Sequence, residues 1–277
     1  MPWRRVTSRR KTRLTSERDL GMSTPKPSVS VKVDMTNPGQ FFACCGLLEL
    51  VHRLWPGAEG WFGGDEFHIS AHVGPETDIL QACLTRLRES TLSTDDSRGE
   101  RAIRPVRISH PDGLNLTLDW WIDRAANKTA LKLWAGQQTS LGIIRTLCRA
   151  LPNSHNVPVG ELFDAGQPLT GRFGVDPRTA WNALDVGFSP NEQQMEVSTY
   201  PAVELLAAVG LQGFCPQEDD EGGWHYAIWS LPLPPLVARA ACAGVLPAGE
   251  VYRYRFEVAT RGSYKGFDFA TAIGDAR

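Results

Sequence analysis

Hydrophobic and polar positions alternate along residues 28–35, "SVSVKVDM", where Val29, Val31, Val33 and Met35 are separated by polar neighbours. That is the period of a strand with one face in a core. The pattern changes at Asn37-Pro38. Beyond them apolar residues recur with almost no polar face: only Gly46, Glu49 and Arg53 fall on the side away from Phe41, Cys45, Leu48 and Trp55. Asn37 suits an N-cap, Pro38 the first helical position and Pro56-Gly57 a stop, which predicts a helix over residues 37–55 covered on most sides. "WFGGDEFHISAHV" predicts a hairpin-like pair of strands, and Ile79, Leu80, Cys83, Leu84 and Leu87 line one face of a helix over residues 76–89. Pro-Asp-Gly within "PVRISHPDGLNLTLDWWID" predicts the turn of a second strand pair.

Residues 128–151 read as a helix or two, broken near Gly136, and residues 152–199, rich in Pro, Gly and Asn, as an irregular connection with short strands such as "TGRFGVD". A second apolar helix opens at Pro201. Its "LAAVGL" (206–211) matches "FACCGL" (42–47) in residue type, and each helix precedes a Trp-bearing strand segment. Duplication of one unit accounts for this, and so does chance recurrence of small residues in packed helices. Gly46 and Gly210 allow another backbone to approach closely, and each helix is expected to be wedged against a sheet. The clearest strand pattern is "VYRYRFEV", with Tyr252, Tyr254 and Phe256 alternating against Arg253, Arg255 and Glu257; a basic glycine-containing turn, "TRGSYKGF", follows. The pattern is that of an α+β chain divided into residues 1–27, a half over 28–151, the connection 152–199 and a half over 200–277.

The 277 residues are 42% hydrophobic and include nine tryptophans, enough for a large core. No run of eighteen apolar residues occurs, and the basic N-terminal stretch lacks an apolar core segment, so neither a membrane span nor a secretory signal is predicted and a cytoplasmic location is expected. The net charge of −2 is uneven: seven basic and two acidic side chains fall in residues 1–21, leaving 22 basic against 29 acidic in the rest, a net of −7. Residues 1–27 read as a disordered basic tail, with Met22 as the natural start. An acidic body admits only local basic patches for nucleic acid. The six cysteines, at 44, 45, 83, 148, 215 and 242, show no CxxC spacing; Cys44 and Cys45 would diverge by about 100° on a helix, so reduced core thiols are expected and zinc is not.

No nucleophile elbow, phosphate loop, dinucleotide fingerprint or zinc-protease motif is present. His68 and His72 lack a third ligand, the run Glu218–Glu221 reads as a solvated loop, and His52, His110 and His225 are candidate general bases without a partner in sequence. No catalytic residue, metal ligand or cofactor is therefore nominated. What the chain does combine is basic and aromatic residues, which suit nucleic-acid grooves because rings stack on bases and cations track phosphates. "DWWIDRAANKTALKLWAGQQTS" supplies Trp121, Lys128 and Lys132, and the C-terminal segment Arg253, Arg255, Arg261 and Lys265. The alternative is that the tryptophans belong to the core and the cations to a solvated face.

The blocks "VDMTNPGQFFACCGLLELVHRLWPGAEGWF", "LDWW", "LKLWAGQQ", "YPAVELLAAVGLQ" and "RGSYKGFDFA", spread from about Val31 to Ala270, resemble the third Csb-type protein family of type I-U (also called I-G) CRISPR-Cas systems. The resemblance implies a Cascade-associated subunit without chemistry of its own, in contact with other Cascade subunits and with CRISPR RNA or target DNA, and with neither a membrane nor a small-molecule cofactor. It also implies two ferredoxin-like halves of the RAMP type. The alternatives within that frame are an RNA-processing endonuclease of the RAMP superfamily and a purely structural bridge.

Overall fold

The computed structural model describes residues 25–95, 100–123, 125–126, 128–134, 137–153, 157–179, 197–261 and 264–274. Most of the expected basic tail, with Arg124 and Gly136, lies outside the described residues.

The chain is mixed α/β, with small antiparallel sheets packed around two buried helices. Strand β1 (Val29–Lys32) leads into helix α1 (Pro38–Leu54), which is followed by the hairpin β2 (Glu59–Gly63) and β3 (Glu66–Ser70); the sheet order is β1-β3-β2. Asn37 caps α1 as its residue type predicts, its side chain accepting from the Gln40 N–H at 3.1 Å. Asp78 caps α2 (Ile79–Glu89) in the same way. A three-stranded meander of β4 (Thr91–Thr94), β5 (Val106–Ser109) and β6 (Asn115–Leu118) follows, then α3 (Ser140–Ala150). The short pair β7 (Gln167–Leu169) and β8 (Val197–Thr199) precedes α4 (Pro201–Leu211). Strands β9 (Gln217–Glu218) and β10 (Trp224–Trp229), helix α5 (Pro235–Cys242), β11 (Val251–Phe256), the hairpin β12 (Val258–Arg261) and β13 (Tyr264–Phe267), and β14 (Thr271–Ile273) complete the chain. The larger C-terminal sheet has the order β14-β11-β10-β9.

The low charge of α1 and α4 has one cause: the helices bury each other. Every residue of α4 is buried, as are Pro38–Val51 of α1. A Cβ at Gly46 would lie 1.9 Å from the Leu206 carbonyl oxygen, and one at Gly210 would lie 2.0 Å from the Phe42 carbonyl oxygen. The glycines therefore admit each other's helix, not a sheet as expected from the sequence. The contact is reciprocal, because Phe42 and Leu206 stand four residues before their respective glycines. Matching positions of "FACCGL" and "LAAVGL" thus meet across the helix pair. The two sheets are also tied directly: the Trp229 indole donates to Gly60 O at 2.7 Å and the Tyr226 hydroxyl to Met35 O at 2.6 Å.

A buried polar cluster locks the entrances of both helices. Glu204 accepts from the N–H groups of Phe173 (2.7 Å), Gly174 (3.0 Å) and Asp176 (3.2 Å). Asp176 accepts from the Asn37 amide at 3.0 Å and pairs with Arg178, whose guanidinium lies 3.5 Å from the Tyr200 ring centre. These bonds explain why "TGRFGVD" is not a strand: its N–H groups go to a carboxylate. Likewise the segment around Lys128–Trp134 is a set of turns, with the Lys132 N–H on Thr129 O and the Thr129 N–H on Trp121 O; only Ser140–Ala150 of the expected helical region is helical. Five cysteines are buried and free and Cys215 is exposed; burial pushes the Cys83 and Cys148 thiols up to about 12.

Candidate nucleic-acid interface

Three of the sequence-nominated cations come together. Lys132 lies in the turns after β6, half-buried, with its ammonium donating to Trp134 O and standing 4.9 Å from that ring's centre. Burial lowers its pKa, and the neighbouring charges of Lys128 and Lys265 act in the same direction against Glu100. Lys128 and Lys265 are both exposed. Lys265 reaches this place because β12 and β13 form a hairpin in which it faces Thr260, and because the hairpin base is seated on residue 174: the Phe267 N–H donates to Gly174 O at 3.1 Å. Gly174 has φ +87°, and a Cβ there would stand 3.2 Å from Lys265 O, so the seat requires glycine. The same residue gives its N–H to Glu204, which connects the hairpin to the buried cluster. Arg261 is opposite Tyr264 at the hairpin end; its side chain lies outside the described residues.

The other nominated residues go elsewhere. Trp121 is fully buried, its indole donating to Ile103 O at 2.8 Å, and it is packed against Trp120, Trp134 and Phe173. No face of it is open to a base, so in this structure it supports the lysines and contacts no strand. Arg255 is engaged by Asp219 (2.8 Å), Glu257 (2.7 Å) and Glu221 (3.5 Å), three carboxylates that more than offset its single charge. Arg253 projects from the same face of β11, next to a cleft of about 530 Å³ shared with His225 and the C-terminal end of α5, and its closest polar contact is Gly244 O at 3.5 Å.

That cleft also holds what the sequence did not disclose. His225 Nε2 lies 2.7 Å from Asp219, giving a candidate base the partner it lacked in sequence. Glu218, Asp220 and Glu221 are exposed, as the solvated-loop reading of this run expects, while Arg255 first and His225 next hold Asp219 well below its usual range. Sequence alone conceals the pair, because nothing in the acidic run tells which carboxylate turns inward. Among the described residues no group of three His, Cys, Asp or Glu side chains is placed to hold a metal ion, and no helix is long and apolar enough to cross a membrane. Comparison with family models, with curated proteins and with solved structures finds no match to the chain.

Proposed function

We propose that this chain is a non-catalytic, cytoplasmic subunit of a type I CRISPR RNA-guided surveillance complex, binding guide RNA or target DNA and neighbouring Cascade subunits in antiviral defence. The reading rests on the resemblance of its sequence blocks to the third Csb-type family. One structural observation supports it: Lys128, Lys132 and Lys265, far apart in sequence, gather on one side of a net-acidic chain. In such complexes base pairing reads the sequence, and protein subunits hold a backbone. The two helix-and-sheet units, related by the reciprocal packing of α1 on α4, are read as degenerate ferredoxin-like halves.

The His225–Asp219 pair beside Arg253 favours a second reading, an RNA-processing endonuclease in which His225 takes a hydroxyl proton. Incubation with labelled repeat RNA separates the two. Retention without cleavage, weakened when Lys128, Lys132 and Lys265 are changed to Gln, is the expected result. A processed product that His225→Ala abolishes would establish the nuclease, and no retention of any strand would leave a protein-only bridge.

A further inference from the structure

Arg53 and Arg239 converge on one carboxylate at the edge of β6. Glu49, on the buried helix α1, accepts from Arg53 Nε at 2.8 Å through one oxygen and from an Arg239 terminal nitrogen at 2.8 Å through the other. Two guanidiniums on one carboxylate leave a surplus positive charge. Arg239 Nε is buried without a hydrogen-bond partner, and this guanidinium has a built seat: a Cβ at Gly213 would come within 2.7 Å of Nε and 2.8 Å of Cζ. The arginines open on a cavity of about 390 Å³ bounded on the other side by Asn115–Leu118 and Gln212.

Thr117 belongs both to this cavity and to the outer face of the β4–β6 meander. The strand register sets Thr91, Ser109 and Asn115 in one row and Ser93, Arg107 and Thr117 in the next. All six point away from the core, and the intervening Leu92, Val106, Ile108, Leu116 and Leu118 point into it. These outward positions carry hydroxyls, one amide and one guanidinium, and no carboxylate. Arg107 is exposed and has no ion-pair partner among the described residues. Of the acids bordering this face, Asp112 pairs with Arg86 at 3.1 Å, Asp119 accepts from Gln212 at 2.8 Å and Glu89 lies 3.8 Å from His110. Hydroxyl, amide and guanidinium donors on a face whose own outward positions carry no carboxylate are the chemistry that holds phosphate oxygens.

We infer that the Arg53–Arg239 cavity is a phosphate site and that the outer face of β4–β6 carries the same nucleic-acid strand onward from it. This rests on the reading of the chain as a nucleic-acid-binding subunit, and it adds a contact surface separate from the lysine cluster. The carboxylate of Glu49 orients both arginines, and the donors of the exposed Arg107 and of the Arg239 terminal nitrogen that Glu49 does not hold supply the phosphate contacts.

The test is the affinity of the full chain for a fluorescent single-stranded oligonucleotide across a salt series, for wild type, Arg107→Gln, Arg239→Gln and a Lys128/Lys132/Lys265→Gln variant. Each arginine change is expected to weaken binding about 3- to 10-fold for every sequence and to lower the slope of log affinity against log salt by about one. Arg107 lies on an exposed face, so its variant keeps the test valid if Arg239→Gln melts early. A second arm adds inorganic phosphate alone and follows thermal stability, with a rise expected for wild type that Arg239→Gln loses. Unchanged oligonucleotide affinity in both arginine variants, with that phosphate effect intact, would overturn the strand path and leave a site for free phosphate. Absence of both effects overturns the inference whole. Loss in the lysine variant alone refutes this surface and leaves the functional reading standing, whereas failure of the wild type to bind any oligonucleotide refutes that reading.

Discussion

At Gly46 a single methyl group decides whether two helices meet. The 1.9 Å that would separate an added Cβ from Leu206 O is far inside any tolerable contact, and the obstacle is backbone, which cannot rotate away. Gly46→Ala and Gly210→Ala are each expected to cost about 3 kcal/mol or more, read as a lowered urea midpoint; Gly160→Ala, with open space where its Cβ would stand, serves as the comparison. Glu204 makes a prediction of opposite character. Burial, then the charge of Asp176, pushes its carboxyl up to about 7 despite the N–H groups that favour the anion. The folded pKa is raised above the unfolded value, so the native state holds the proton more tightly, and the stability it contributes is fully present below about pH 4.5 and is lost as pH rises through about 7. Urea midpoints measured from pH 4.5 to 8 should carry this downward component in the wild type, and Glu204→Gln should remove it from that window. A component of the same size in the variant would assign it to another group.

At the scale of elements, Asn37 serves twice, as the cap of α1 and as a donor to buried Asp176. Asn37→Ala should therefore cost more than the usual cap, about 2 kcal/mol against about 1 for Asp78→Ala, whose carboxylate caps α2 in the open. A smaller loss at Asn37 than at Asp78 would show that Asp176 finds another donor. Caps and periodicity are local, and they made α1, α2, the two early hairpins and α4 legible in sequence. Helix α5 was less so: it is short and has no side-chain cap, so Pro235 at the first helical position is its one local start signal. The turns at Lys128–Trp134 were also hidden, since helical residue types there are overridden by the packing of Trp121, Trp134 and Phe173. The lysine cluster was half legible. Its residue types stood out, but which cations stay free depends on carboxylates such as Asp219 and Glu257, whose positions only the tertiary structure assigns.

For the molecule as a whole, α1 and α4 place both halves in one continuous core. The paucity of charge in these helices is satisfied inside the chain, so it gives no reason to expect a partner over them; among the described residues the most exposed large apolar side chains are instead Leu236 and Val245, at and just past α5. A fragment ending at Leu151 should lose cooperative unfolding and bind a hydrophobic dye, because α1 would present to water the face that α4 covers. A sharp transition in that fragment would mean the halves fold independently. The reciprocal glycine contact also has a consequence during synthesis. The stretch from Leu54 to Pro201 must leave the ribosome before α1 meets the helix shaped to receive its backbone. At ordinary elongation rates that is a wait of roughly 10–30 s, during which a nascent apolar helix lacks its main native cover, and it marks α1 as the segment of this chain with the greatest claim on a chaperone.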